Sequence, residues 1–243
     1  MEKYALILAG GMGKRMKSSL PKPCHLIQSL SMLQWVILAV ENAGIENVCI
    51  VYGKRGEVLL KEAVINPEKY IWIEQYPTLG TGHAVRCAVQ HYFHDKEGMV
   101  MVLNADAPFI QSSTIQKIMK TLEIKDAALL VAQKDNPFGY GRVIEDEEGM
   151  LMRIVEEKDA TQIQKEIRRV NAGVYAFDLS VLKANIFRLN TDNAQGEYYI
   201  TDIFEYLKQQ DHKIGLVFSE KEQEILNINT SRQLEFARSI LNI

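Results

Sequence analysis

The chain has 243 residues, 47% hydrophobic and 24% charged, with a formal net charge of −3. That length allows one large α/β domain or two closely joined lobes of ordinary soluble composition, with no general pull toward nucleic acid or membrane. No uncharged run approaches membrane-spanning length, the apolar run after Lys3 stops at Gly10, too short for a signal-peptide core, and Cys24, Cys49 and Cys87 are spaced like reduced thiols of an intracellular, cytoplasmic protein.

Residues 4–8 form a short apolar strand, followed by a glycine turn at Gly10, Gly11 and Gly13 and by the cations Lys14, Arg15, Lys17 and Lys22. Glycines let backbone N–H groups approach a ligand and point together, and the nearby cations give a polyanion a seat. This reads as a triphosphate cradle at the C-terminal end of the first strand, where open α/β sheets bind ligands. A dinucleotide fingerprint is excluded because Met16 stands where the third glycine belongs. A Walker loop is excluded by Leu8 and Arg15. A solvated basic loop is the plainer alternative, but Pro21 and Pro23 hold Lys22 on a stiff segment that can return to the site.

Residues 32–43 then carry apolar positions at helical spacing, 47–51 read as a strand, 57–64 as helix, 70–74 as strand, 82–92 as helix and 99–103 as a fully buried strand. This βαβ alternation predicts a mostly parallel sheet. Capping boxes at Ser113-x-x-Gln116 and Thr230-x-x-Gln233 start two later helices. In the second half, 127–133, 170–177 and 213–218 are strands, and 140–145 with 150–156 form a hairpin around Asp146-Glu147-Glu148-Gly149. These additions suggest a smaller second lobe facing the first half across a cleft, within one continuous domain. Residues 231–241 close the chain as an amphipathic helix.

Two stretches carry candidate chemistry. In 75–84, the Gln75 amide can offer a donor and an acceptor to a pyrimidine edge, with glycines beside it, although Gly80-Thr81-Gly82 is also simply a helix start. His83 reads as helical packing. Asp106 follows the buried strand, where a carboxylate can hold Mg²⁺ against phosphates or merely cap a turn. A glycosyltransferase would usually present Asp-x-Asp here, but Asn104 occupies the first position.

The run Leu8-Ala9-Gly10-Gly11-Met12-Gly13-Lys14-Arg15-Met16, followed by Pro21-Lys22-Pro23, resembles the signature of the sugar-1-phosphate nucleotidylyltransferases. Within them the chain is most similar to the uridylyltransferase domain of the bacterial N-acetylglucosamine-1-phosphate enzymes. The resemblance covers essentially the whole chain. It implies a Rossmann-like, mostly parallel α/β sheet flanked by helices, with antiparallel additions forming a sugar-binding lobe. The nucleotide half would span about 1–110, the sugar half about 111–230 and a C-terminal helix 231–243. No hexapeptide repeat of a left-handed β-helix follows Ile243, so the acetyltransferase activity of those enzymes is expected to be absent.

The resemblance also implies roles for individual residues. Leu8, Ala9, Gly10, Gly11, Gly13, Gln75, Gly80 and Thr81 would bind the nucleotide, with Gln75 and Gly80 reading uracil. Gly141, Glu156, Asn171, Tyr199 and Thr201 would bind the sugar. Asp106 and Asn229 would hold Mg²⁺, Arg15 would serve the leaving pyrophosphate and Lys22 the α-phosphate. The expected substrates are the small molecules UTP and N-acetylglucosamine-1-phosphate. Uridylyl or thymidylyl transfer to glucose-1-phosphate and a catalytically silent nucleotide-sugar sensor are the alternatives. The chain departs from the family pattern at Gly10 (usually Ala), Lys14 (usually Thr), Asn104-Ala105 (Tyr-Gly) and Ser29-Leu30-Ser31 (Gly-Lys-Pro). Asp106 and Asn229 each follow an apolar, strand-like run, so two parallel strands are expected to bring them to one rim.

Overall fold

The apolar runs of the first half become neighbouring strands in a computed structural model. It describes residues 1–240 except Met12, Lys17 and Arg55, with Lys14 described by its backbone alone. The first half contains β1 (Lys3–Leu8), β2 (Leu26–Ile27), β3 (Leu30–Ser31), α1 (Met32–Asn42), β4 (Asn47–Gly53), α2 (Glu57–Glu62), β5 (Ile71–Gln75), α3 (Thr81–Ala88) and β6 (Met99–Asn104). The second half contains α4 (Ser112–Thr121), β7 (Ala127–Gln133), β8 (Arg142–Glu145), β9 (Leu151–Val155), α5 (Gln162–Lys165), β10 (Arg169–Asp178), α6 (Leu179–Asn185), α7 (Ile203–Gln209), β11 (Ile214–Phe218) and α8 (Ser231–Ile240).

The main sheet runs in the order β11-β7-β10-β6-β1-β4-β5, with β8 and β9 branching from β10. β1 pairs in parallel with both β4 and β6, and β4 with β5. Alternation along β1 sends Ala5 and Ile7 into one core, with Leu33, Ile37 and Ile118 of α1 and α4. Tyr4 and Leu6 enter the other, with Val85, Leu182 and Phe204 of α3, α6 and α7. Both faces are therefore buried, which is why the strand sequences are nearly continuous apolar runs rather than alternating ones.

Among the described residues, the second half builds no large sheet of its own. β10 inserts antiparallel between β6 and β7, and β11 extends the sheet parallel to β7. The predicted hairpin forms as β8 and β9, paired antiparallel from Arg142–Val155 to Glu145–Leu151.

Several local expectations are corrected. α2 stops at Glu62 rather than Val64, and α3 gives way at Val89–Phe93 to a π-helical turn. Ser113 does not cap α4; the N-cap is Gln111, which makes no side-chain cap bond. At α8, Thr230 accepts from the Gln233 N–H at 3.2 Å, but the Gln233 side chain reaches the Asn229 N–H at 2.9 Å, so the box is opened by one residue. A closed capping box forms instead between Thr161 and Gln164 at α5. The run before Asn229 is not a strand: a 3₁₀ turn at Glu222–Ile225 leads into irregular chain. Its apolar residues serve packing, with Ile228 fully buried beside Met16, Ile27, Met32 and Phe109. Leu241 of the predicted last helix and Lys17 of the cradle lie outside the described residues, as does the Lys14 side chain.

Candidate active site

The glycine turn leaves β1 at the C-terminal rim of the sheet and is pinned there on both sides. The Ala9 N–H donates to the Val51 carbonyl at 2.7 Å, and the Ala105 N–H donates to the Leu8 carbonyl at 3.1 Å. Gly13 has φ +62°, and a Cβ on it would lie 2.7 Å from the Cβ of Lys22. Glycine is required at that point because the loop wraps directly against the returning Pro21-Lys22-Pro23 segment. That segment is a 3₁₀ turn, Lys22–Cys24, entered from Pro21 with Pro23 and Cys24 buried. Lys22 is thus carried on backbone with little freedom.

Four predicted residues from distant parts of the chain meet here. The Lys22 ammonium pairs with the Asp106 carboxylate and donates to Asn229 Oδ1 at 3.0 Å. Arg15 donates to the same Asn229 oxygen at 3.1 Å. Asn229 Nδ2 faces the Asn227 carbonyl, which turns Oδ1 toward the cations. The Ile228 N–H donates to the backbone carbonyl of Asp106 at 2.9 Å, so the two segments are tied at the backbone as well. Asp106 and Asn229 share one rim as predicted, but through this loop tie and not through two parallel strands.

The donor set suits a divalent cation that arrives with a phosphate ligand. Asp106 Oδ2 and Asn229 Oδ1 both reach one positively charged atom, Lys22 Nζ, so both can reach a metal placed near it. Among the described residues no group of three or more His, Cys, Asp or Glu could hold a metal unaided. The remaining positions of an octahedral Mg²⁺ would be filled by substrate phosphates and water.

A cavity of about 370 Å³, lined by residues expected to bind the nucleotide, runs from this cluster along Gly10, Gly11, Thr78 and Gly80 to Gln75. Gln75 is buried, and its Nε2 donates to the Gly80 carbonyl at 2.9 Å. Gly80 holds φ +101°, and a Cβ there would meet the Tyr198 carbonyl at 2.6 Å. Thr81 is a strut: its hydroxyl accepts from the Ile200 N–H at 3.1 Å, and next to it the Gly82 N–H donates to Tyr198 at 2.7 Å.

A smaller cavity of about 180 Å³ shares Thr81 and Asn104 with the first and gathers Gly141, Glu156, Asn171 and Thr201. Glu156 accepts from the Thr201 hydroxyl at 2.9 Å, and burial raises its pKa above the usual carboxylate range. Asn171 donates to the Tyr175 hydroxyl at 2.7 Å and accepts from the Gly173 N–H at 3.0 Å across a bulge in β10. Tyr199 does not join them. It lines a separate acidic cavity with Glu156, Asp159 and Asp202, and among the described residues its buried hydroxyl meets no well-aligned hydrogen-bond partner. Tyr199 and Thr201 are two residues apart at a 3₁₀ turn, so their side chains diverge.

Asn104 stood out in the sequence only as a departure from the family pattern, and Arg142 was given no role. Asn104 ends β6 and borders the cavity that ends at Gln75, the smaller cavity and a third, open one beside Arg15 and Asn229. Among the described residues its side-chain amide makes no hydrogen bond; its place at a strand's C-terminal end was the available signal. Arg142, 1% exposed, pairs with Glu157 at 2.8 Å and donates to the Tyr140 carbonyl. Glu157 also accepts from the Gly139 N–H at 3.0 Å. This buried pair ties the loop carrying Gly141 to the segment carrying Glu156.

Residues 5–170 match the model of the MobA-like NTP transferase domain. The chain belongs to that family. It is 40% identical over 242 residues to the bifunctional protein GlmU of Caldanaerobacter subterraneus subsp. tengcongensis, covering 99% of this chain and 52% of that protein. It is 41% identical over 243 residues to the bifunctional protein GlmU of Clostridium botulinum, with 99% and 52% covered. The chain thus spans about half the length of the curated relatives it matches. Among solved structures, a UDP-glucose pyrophosphorylase complexed with UDP-glucose superposes with TM-score 0.80 at 16% identity, over 100% of this chain and 99% of the other. A putative glucose-1-phosphate thymidylyltransferase from Bacillus anthracis, in complex with a sucrose, superposes with TM-score 0.77 at 19% identity, over 98% and 94%. These likenesses establish the Rossmann-like nucleotidyltransferase fold. No helix among the described residues is long and apolar enough to cross a membrane.

Proposed function

We propose that this nucleotidyltransferase domain transfers UMP from UTP to N-acetylglucosamine-1-phosphate, giving UDP-N-acetylglucosamine and pyrophosphate. The observation that carries the reading is the cluster of Lys22, Arg15, Asp106 and Asn229 at the mouth of the cavity that ends at Gln75, with Thr81 and Asn104 shared between that cavity and the smaller one beside it. One cavity has glycine walls and a side-chain amide at its end. The other has a buried carboxylate and amide suited to sugar hydroxyls. The 40% identity to the GlmU proteins supports the choice of sugar and nucleotide.

The attacking group is an oxygen of the sugar phosphate, whose second pKa is about 6, so it is largely ionised at neutral pH. No general base is needed. The new bond forms at the α-phosphorus of UTP as the bond to the bridging oxygen of the β-phosphate breaks, and that oxygen leaves on pyrophosphate. Lys22 neutralises charge at the α-phosphate, Arg15 receives the pyrophosphate, and the stiff Pro21–Pro23 segment keeps the ammonium in place during transfer. Mg²⁺ held by Asp106 and Asn229 would supply further charge neutralisation on the phosphates.

The test is pyrophosphate release with a panel of nucleoside triphosphates and sugar phosphates. Release with UTP and N-acetylglucosamine-1-phosphate well above release with glucose-1-phosphate is expected, since site groups left unpaired by the missing N-acetyl group cost about 1–3 kcal/mol each. Equal efficiency with both sugars moves the assignment to a glucose-1-phosphate enzyme. Binding without release makes the chain a sensor.

A further inference from the structure

The Gln75 amide is held by two groups, the backbone of Gly80 and the side chain of His83. Nε2 donates one hydrogen to the Gly80 carbonyl at 2.9 Å, and it lies 3.2 Å from Nδ1 of His83 on α3. A carbonyl oxygen can only accept, so the amide edge facing Gly80 must be the NH₂. Its second hydrogen meets the imidazole nitrogen, which accepts when the ring is neutral with its proton on Nε2. Both donors of Gln75 are then used inside the protein. Oε1 points the other way, toward Gly10, whose Cβ, if present, would lie 3.1 Å from it. No described residue donates to that oxygen, and Gln75 and Gly10 both line the nucleotide cavity.

We infer that His83 is a positioning residue for nucleobase choice: it locks the Gln75 amide so that an acceptor, and no donor, faces the nucleotide cavity. The site then selects a base whose pairing edge carries a ring N–H, as uracil and thymine do, and disfavours cytosine, whose corresponding nitrogen is an acceptor. Turning the amide over would set Oε1 against the Gly80 carbonyl and would require the imidazole to move its proton from Nε2 to Nδ1. Without the imidazole, only one of those two restraints remains.

The surroundings of the ring keep it neutral, and Gln75 Nε2 facing Nδ1 sets its proton on Nε2. Arg86 and Cys87 lie near it on the same helix, Gln75 meets it from β5, and Tyr198 stacks on it at 6.2 Å between centroids from the facing loop. Arg86 lies 4.1 Å over the far neighbour Tyr198. Burial, and then the positive charge of Arg86, hold the His83 pKa below the ordinary histidine range. No carboxylate partners the imidazole among the described residues, so nothing there favours its charged form.

The inference rests on the reading of this cavity as the nucleotide site, and its test is chosen to fail separately from the transfer reaction. Equilibrium binding of UTP and CTP is measured calorimetrically in Mg²⁺ buffer for the wild type, His83→Leu and His83→Asn. The wild type is expected to favour UTP. His83→Leu should lower the UTP:CTP affinity ratio about five- to tenfold, the value of one lost hydrogen bond to a buried amide. His83→Asn, whose side-chain oxygen can accept from Gln75, should restore most of the ratio. His83→Met replaces His83→Leu if the latter does not fold. In turnover the effect should appear in KM for UTP and not in kcat. An unchanged ratio in a folded His83→Leu protein, equal weakening of both nucleotides, or a wild type with no preference for UTP overturns the inference. A wild type that binds UTP selectively but releases no pyrophosphate overturns the transfer reading and leaves the inference standing.

Discussion

The Lys22 ammonium is paired with the Asp106 carboxylate, 84 positions away in sequence, and each side chain is close to nine-tenths buried. In the absence of nucleotide the lysine therefore neutralises the carboxylate proposed to hold the metal. Lys22→Met should cut turnover about 10²–10³-fold, the usual effect of losing a preorganised charge at a transferring phosphoryl group. The same change should tighten binding of Mn²⁺ to the nucleotide-free protein, because Asp106 loses its competing cation. Pyrophosphate release and a Mn²⁺ titration read the two effects. Near wild-type turnover would remove Lys22 from the mechanism.

Asp106→Asn tests the other half of that pair. It removes the one formal negative charge offered to a metal, so activity at ordinary Mg²⁺ should fall steeply and recover in part at high Mg²⁺. Asn229→Ala should show the same pattern more mildly, since it removes a neutral oxygen. Activity measured against Mg²⁺ concentration distinguishes these from simple inactivation. Full activity in chelator would end the metal assignment for both residues.

Much of this arrangement could be read from the sequence, and the rest shows where pattern reasoning runs out. β1, β4, β5 and β6 were legible because burial on both faces makes near-continuous apolar runs. The cradle was legible because its glycines and prolines each answer a local backbone need, as Gly13 against Lys22 shows. The position of β10 between β6 and β7 was not, since a strand's neighbours are set by tertiary packing and not by its own pattern. The Arg142–Glu157 pair sits where β8 branches from β10 and was missed with it, whereas Asn104, at the end of the predicted β6, was noted only as a departure from the family pattern. Asn229 was placed at the right rim for the wrong reason: its apolar neighbours pack under the loop and form no strand.

Glu157→Ala should destabilise the protein by about 3–5 kcal/mol, because it leaves the guanidinium of Arg142 buried without a counter-charge. The loop carrying Gly141 also loses its tie through the Gly139 N–H. A lower urea midpoint together with a higher KM for the sugar phosphate is expected. Replacing both partners with leucine should recover much of the midpoint but not the KM. A single variant with an unchanged midpoint would show that the pair does not hold the loop.

Asp202 gives stability a pH dependence of definite sign. Burial, followed by repulsion from Glu156, Glu205 and Asp159, raises its pKa from 3.8 to about 6. Between those values the folded protein holds a proton that the unfolded chain has released. This contribution to stability is therefore full below about pH 4 and is lost as pH rises through about 6. Asp202→Asn should remove that slope and leave the protein more stable than wild type at pH 7. Thermal midpoints of both proteins at pH 4, 5, 6 and 7 measure it. A difference between them that stays constant across the range would refute the assignment.

Glu156 should make sugar recognition pH-dependent in the opposite functional sense. Burial raises its pKa, Thr201 already donates to Oε1, and Asp159 adds a smaller repulsion. Only the ionised carboxylate offers acceptors alone to sugar hydroxyls; once protonated, one oxygen becomes a donor. As pH falls, the protonated fraction should grow at a pH above the usual glutamate range, and kcat/KM for the sugar phosphate should fall with it. Binding of UTP, in the neighbouring cavity, should not follow that limb. Glu156→Gln keeps the shape and removes the titration. It should raise KM for the sugar phosphate about tenfold, consistent with charged hydrogen bonds being worth about 1.5–3 kcal/mol, and flatten the acid limb. Initial rates from pH 5 to 8 with each substrate varied in turn provide the check. An acid limb that persists unchanged in Glu156→Gln would assign it to another group, with the second ionisation of the sugar phosphate itself as the first to examine.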